Sequence, residues 1–419
     1  MKRTLNALLS RSESIIEART MRKTTYLFCL VLIFILPWED SISAESVGSL
    51  ARLIGIVVAG FWLGTIIIEG RFRRPDFFHA LVLLFILWNF VSVFWSVDVE
   101  STLRHIKTYS QIFLLVLIYW DVFQKPEKLM AGLQAYIFGA YVLVASTIYN
   151  FMMGNVAIQY EDRYSANGVN AVEQALMLMI GLPIAMQLFF AAKNRRRQRL
   201  LNAIDLLYIP LSIFATILTG SRTSLIAIIP FGILVLVAQQ IKANQKLFML
   251  VLLVISILIS LPFIPETIIA RLSTIGSSVG GGDLGGRVGL WRDAIAVLAK
   301  HPILGVGSGA VASMIGAVVH NTFISVFAET GFIGFLLFLS ILGWVVYKVV
   351  RLPRRLAELW LAILMIWAIG VLSLSWEVRK VTWMVLSFAL IESSLGERAA
   401  EQELPSSLAP ILITAKKMS

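Results

Sequence analysis

Apolar residues in this chain arrive in long blocks, and that habit restricts the fold more than any other feature. The blocks run to about 18 to 25 residues, the length a helix needs to cross roughly 30 Å of hydrocarbon. Inside a bilayer only helices and closed barrels pair every backbone N–H and C=O. Unbroken apolar blocks of this length belong to helices. Of the 419 residues, 58% are hydrophobic and 15% charged, whereas soluble proteins carry about 25% charged residues. The expectation is an all-α, polytopic membrane protein with about twelve spans.

The blocks divide the chain into five parts. Residues 1–24 are basic and polar. Residues 25–264 hold nine apolar runs, and 265–319 form a long polar interruption. Residues 320–395 hold three more runs, and 396–419 are a polar tail. With both termini cytoplasmic, every alternate loop is basic, as insertion topology requires. The loop KNRRRQR (193–199) is the most basic of them. Insertion therefore explains most of the net charge of +11, and nucleic acid is not an expected partner. Cys29 is the only cysteine, so no disulfide can form within the chain. The first run ends in PWED without a small-residue cleavage site, so no cleavable signal peptide is expected. No internal repeat is visible, and the paired broken helices of an inverted-repeat transporter are not evident.

Eleven of the 36 Lys and Arg would face the extracytoplasmic side. Insertion disfavours cations there, so Arg163, Arg222, Arg287 and Arg292 need another reason. Arg222 lies in GSRTS, at the outer end of an apolar run. It either snorkels to headgroups or clamps an anion, because a guanidinium matches phosphate oxygens with a planar fork. Ser221 and Thr223 add hydroxyls beside it. Arg287 follows GGGDLGG, a glycine run that lacks the Gly-Lys-Ser/Thr of a phosphate-binding loop. The segment GLWRDAIAVLAKHP reads as an amphipathic helix. Leu290, Trp291, Ala294, Ile295 and Leu298 fall on one face, with Trp291 expected at the membrane interface. GVGSG (305–309) follows no strand and is not a dinucleotide fingerprint.

His320 opens the tenth run. It reads either as a helix cap or as a general base that titrates near neutral pH. Glu329 lies roughly 180° round that helix and is expected to neutralise an arginine on a neighbouring helix. His79, His105 and His301 are scattered. There is no HExxH, no His/Cys cluster and no Asp-rich pair, so neither a metal nor another cofactor is expected.

The order of these motifs carries a resemblance. SR at the start of a helix, GR…LW..A…HP..GVGSG in a long outer loop, His320-Asn321, and then AETGFIG resemble the O-antigen ligase-like membrane protein family. That family includes O-antigen ligases, O-antigen polymerases and exopolysaccharide polymerases. The match is strongest over about Gly220 to Gly334. RYSANGVNAVEQ (163–174) resembles another family segment but departs from it at Asn170-Ala171-Val172.

The resemblance implies a C-type glycosyltransferase architecture in the bacterial inner membrane, with a catalytic loop between the ninth and tenth helices. The donor would be a glycan on undecaprenyl diphosphate. The acceptor would be another glycan or lipid A-core. Arg222 and Arg287 would hold the diphosphate, and His320 would take the acceptor proton. Arg292, Arg163, Ser221 and Asn321 would contact phosphate or sugar, without a metal. The alternative is a flippase for a lipid-linked oligosaccharide.

Overall fold

The computed structural model describes residues 2–44, 48–156, 163–191, 196–239, 241–273 and 286–403. It is helical throughout, apart from one antiparallel pair of two-residue strands, Ser43–Ala44 and Gly48–Ser49. Helix α1 is Lys2–Ile35, followed by a 3-10 turn at Leu36–Ser41 where Pro37 ends the run. Then come α2 (Leu50–Glu69), α3 (Phe77–Val91), α4 (Val99–Val122), α5 (Pro126–Met152), α6 (Ala171–Ala191) and α7 (Arg196–Leu218). The short α8 (Arg222–Ile226) and α9 (Ile228–Val237) precede α10 (Ala243–Ser260) and α11 (Glu266–Ser273). The last five are α12 (Arg287–Lys300), α13 (Val311–Ile315), α14 (Thr322–Val350), α15 (Arg354–Val371) and α16 (Lys380–Glu403).

Eight of the described helical segments are long and apolar enough to cross a membrane, built on α1–α3, α5–α7, α10 and α14 with, in three cases, the 3-10 turn that follows. The other four expected runs are helical too, for stated reasons less apolar or shorter. Helix α4 carries Glu100, Arg104, His105, Lys107 and Asp121. The eighth run breaks at Ala227 into α8 and α9, of 5 and 10 residues. Helices α15 and α16 carry charge at their ends.

Helix α6 is the axis of the bundle, with 83% of its span window buried. A helix that is apolar all round has to be enclosed, and α6 packs on α5, α7, α8, α9 and α15. Pro183 interrupts its hydrogen-bond ladder. Nearby, the Tyr136 and Tyr208 hydroxyls donate to the carbonyls of Met177 and Leu178, at 2.8 and 2.9 Å. Gly181 permits this approach, since a Cβ there would lie 2.2 Å from the Tyr208 hydroxyl.

The two ends of the bundle differ in chemistry. At one end the basic loops lock onto acids and carbonyls. The Arg73 guanidinium donates to the Trp120 carbonyl and the Ser394 hydroxyl, and sits 3.4 Å from the Trp120 ring centroid. Arg22 pairs with Glu69, and Lys348 with Glu397. At the other end, segments 92–98, 163–170, 218–222, 301–321 and 372–380 gather. The backbone N–H of Val97 bonds Val306, and that of Tyr164 bonds Leu218. The Asn321 amide bonds the Leu372 carbonyl, and Arg379 pairs with Asp40 and Glu173.

Candidate active site

Helix α14 begins with an unusual backbone. His320 has φ 54°, the one positive φ outside glycine among the described residues. A non-glycine side chain in that region costs on the order of 1–3 kcal/mol and persists only where its surroundings enforce it. Asn321 does the enforcing. Its Oδ1 accepts from the N–H groups of Phe323 and Ile324, and its Nδ2 donates to the Leu372 carbonyl at 3.2 Å. Thr322 then ties the same turn down: its hydroxyl donates to the Leu374 carbonyl and accepts from the Trp376 N–H. The cap is Asn321, so the imidazole of His320 is not consumed in capping.

Helix α12 brings Arg287 to this imidazole. Burial, and then the positive charge of Arg287, hold His320 below the usual histidine range. Its neutral form therefore dominates near neutral pH, the form that can accept a proton. Helix α12 packs on α14 and α13. The expected amphipathic face is real, but it turns inward. Ala294 is fully buried, and Trp291, Val297 and Leu298 pack with Val306, Val311, Val319 and Ala328. Trp291 packs half-buried on this satellite core, while Ile295 is exposed. Arg292 is exposed as well, about 140° round the helix from Arg287, so it does not share the His320 face. The glycine run 274–285 and the side chain of Arg271 lie outside the described residues.

A second group forms at the head of α6 and α8. Arg163 is 4% exposed and Ser221 2%, while Arg222, the first residue of α8, is half-buried. The Tyr164–Leu218 backbone bond, 3.1 Å, holds Arg163 beside the end of α7 and hence beside Ser221 and Arg222. Asn170 caps α6 through the N–H of Val172. That gives a local reason for the asparagine where the resemblance had weakened. Helix α8 packs on α6 and α15, and Asn321 bonds the carbonyl just beyond α15. Both groups therefore contact α15 or the turn just beyond it. Three of the other outer cations have structural partners: Arg104 pairs with Glu100, Arg379 with Asp40 and Glu173, and Lys380 with Glu39.

Glu329 was expected to meet an arginine, and among the described residues it meets none. It is 5% exposed and accepts from the Gly309 N–H at 2.7 Å, with His105 Nδ1 at 3.8 Å. The Ser325 hydroxyl lies 3.3 Å from one oxygen of Glu329 and 3.3 Å from one oxygen of Glu377. A hydroxyl has one hydrogen, so it satisfies one carboxylate and the other carboxyl must donate to it. Burial, and then the charge of Glu329, push Glu377 up from the ordinary carboxyl range, in keeping with a shared proton. Sequence reasoning missed this cluster. His105, Glu329 and Glu377 are joined only by the folding of α4, α14 and the turn between α15 and α16, and no spacing announces them.

Residues 207–339 match the family model described as O-antigen ligase. This segment, about a third of the chain, is similar to the O-antigen ligase family. It contains Ser221, Arg222, Arg287, Arg292, His320, Asn321 and Glu329, and leaves Arg163, His105 and Glu377 outside it. No curated protein matches the chain at a significant level. Among the described residues no group of three or more His, Cys, Asp or Glu could hold a metal ion.

Proposed function

We propose that the protein transfers a glycan from a polyprenyl diphosphate, undecaprenyl diphosphate in a bacterial inner membrane, to a sugar hydroxyl on the extracytoplasmic side. The family supplies the reaction class, ligation or polymerisation of a lipid-linked glycan. The observation that carries the residue roles is the strained, neutral His320 beside Arg287. The acceptor hydroxyl attacks the anomeric carbon, the bond to the diphosphate breaks, and the proton passes to the His320 imidazole. Negative charge grows on the departing diphosphate. Arg222 and Arg287 stabilise it there, with Arg163 and Ser221 beside them. Arg292 contributes from the rim. Guanidinium groups make this chemistry possible without a metal.

The acceptor is either the end of another repeat unit, which makes the protein a polymerase, or a lipid A-core, which makes it a ligase. Purified protein is given a synthetic undecaprenyl-diphosphate repeat unit, alone and then with a lipid-core acceptor. A ladder from donor alone identifies a polymerase. Product formed only with the core identifies a ligase. If undecaprenyl diphosphate is released in neither case, the reading fails, and likewise if well-expressed Arg222→Ala, Arg287→Ala and His320→Ala variants keep full activity.

A further inference from the structure

Away from the arginines and His320, the fold leaves an apolar cleft of about 410 Å³ between α1, α2, α4 and the head of α16. Its α2 wall runs from Ala51 to Leu63, about 18 Å at 1.5 Å per residue. That is little more than half of a hydrocarbon core of about 30 Å, so the cleft matches one leaflet. Three side chains break its apolar lining: Arg52, Gln111 and Lys380. Arg52 stands near the start of α2, Lys380 opens α16, and Gln111 is the first α4 residue on the cleft. The cations therefore lie at the loop end, where headgroups begin.

Lys380 has a partner in Glu39, 2.5 Å away. Arg52 and Gln111 make no hydrogen bond or ion pair among the described residues. A half-buried guanidinium and a carboxamide beside hydrocarbon are costly without polar partners, and here the protein supplies none. The cleft is also open. Gly55 and Gly60 line it, and a Cβ on either would meet nothing within 4 Å. Leu53 and Ile56 flank it as exposed apolar side chains, as a lipid-facing surface requires.

We propose that this cleft binds an anionic phospholipid of the adjacent leaflet. One acyl chain lies along α2, the phosphate sits on Arg52, and the Gln111 amide donates to the ester oxygens. Charge decides for an anionic headgroup, because of the two cations on the cleft Arg52 is the one that no acid among the described residues neutralises. The glycan donor is disfavoured by position. A tail leaving a diphosphate at Arg163 first meets a different cleft, between α5, α7 and α10, where Phe151 packs on Tyr164.

The test uses delipidated full-length protein titrated with phosphatidylglycerol and with phosphatidylcholine of the same chains. Bound lipid is counted by native mass spectrometry. Phosphatidylglycerol is expected to bind more tightly. Arg52→Gln should weaken it about fivefold, the weight of one basic side chain at a membrane surface, and leave phosphatidylcholine unchanged. Gly55→Phe, which fills the cleft, should weaken both lipids. Thermal melting verifies folding, and Gly60→Leu serves if Gly55→Phe does not fold. Equal binding of the two lipids, or wild-type binding by both variants, overturns the proposal. So does one-for-one displacement of phosphatidylglycerol by a polyprenyl diphosphate, which would assign the cleft to the substrate.

Discussion

At His320 strain, protonation and position meet on one residue. The positive φ aims the imidazole, and Asn321 holds the turn that imposes it. Burial and Arg287 lower its pKa, so the sign of the pH dependence follows. The base stays competent as pH falls past the ordinary histidine value of about 6.5 and fails only below it. The acidic limb of kcat/KM should therefore lie under pH 6.5, and His320→Ala should remove the limb together with most of the rate. Asn321→Ala should cost about 1 kcal/mol of stability and lower kcat while donor KM holds. Asn321→Asp keeps an acceptor for the cap and should restore much of both, as thermal melting and kinetics would register. Arg222→Lys keeps the charge but loses the planar fork. A loss of about 1.5 kcal/mol, roughly tenfold in kcat/KM, is expected. Glu377 follows the opposite sign. Its carboxyl is held above its unfolded value of about 4.3, so the folded state keeps the proton longer. Stability contributed by this group is lost as pH rises through that window. Glu377→Gln should flatten the alkaline decline of the melting temperature, whereas an unchanged slope would refute the shared proton.

Among the elements, α14 shows how a break can be a device. Gly331 departs from helical geometry at φ 65°, ψ −170°. The opened backbone accepts the loop 302–309: the N–H groups of Val306 and Gly307 bond the carbonyls of Ala328 and Glu329, and the N–H of Phe332 bonds Pro302. GVGSG is thus a docking strap, and its glycines are set by crowding. A Cβ on Gly305 would stand 2.3 Å from the Glu329 carbonyl oxygen, and one on Gly331 would stand 2.2 Å from that of Ile303. Gly305→Ala should undock the strap and free Glu329 from the Gly309 N–H, lowering the melting temperature sharply. Gly316→Ala has a similar φ, 74°, but meets nothing within 4 Å. It should cost only the backbone strain of about 1 kcal/mol, so the difference between the two melts isolates the close approach. The motif was visible in the sequence, but its partner was not, because the strap docks on a helix interruption more than twenty residues further along the chain.

The whole molecule sorts its charges by end. Arg22, Arg73 and Lys348 are tied into one end, and the site assembles at the other. That arrangement predicts an outcome for thiol labelling, since the native Cys29 is fully buried. In spheroplasts an impermeant maleimide should label Met314→Cys and leave Lys242→Cys unmodified until the membrane is opened. The reverse pattern would invert the proposed orientation. The long apolar runs, the basic loops and the helix at Arg287–Lys300 were all legible in one dimension, and so was the candidacy of Arg222, Arg287 and His320. Hydrocarbon thickness and insertion charge act locally along the chain, and so they leave a local signature.

The sequence by itself determined that this is a helical membrane protein with surplus cations around one polar interruption, and it carried a motif order similar to that of O-antigen ligases. Tertiary structure decided the rest. It turned Trp291 inward, gave Asn321 the cap and His320 the strain, paired Glu329 with Glu377 through Ser325, and left a cleft under Arg52. Each of these depends on which helices are neighbours. That is set by packing and by the pairing of buried polar groups, interactions between residues far apart in the chain that no local pattern records.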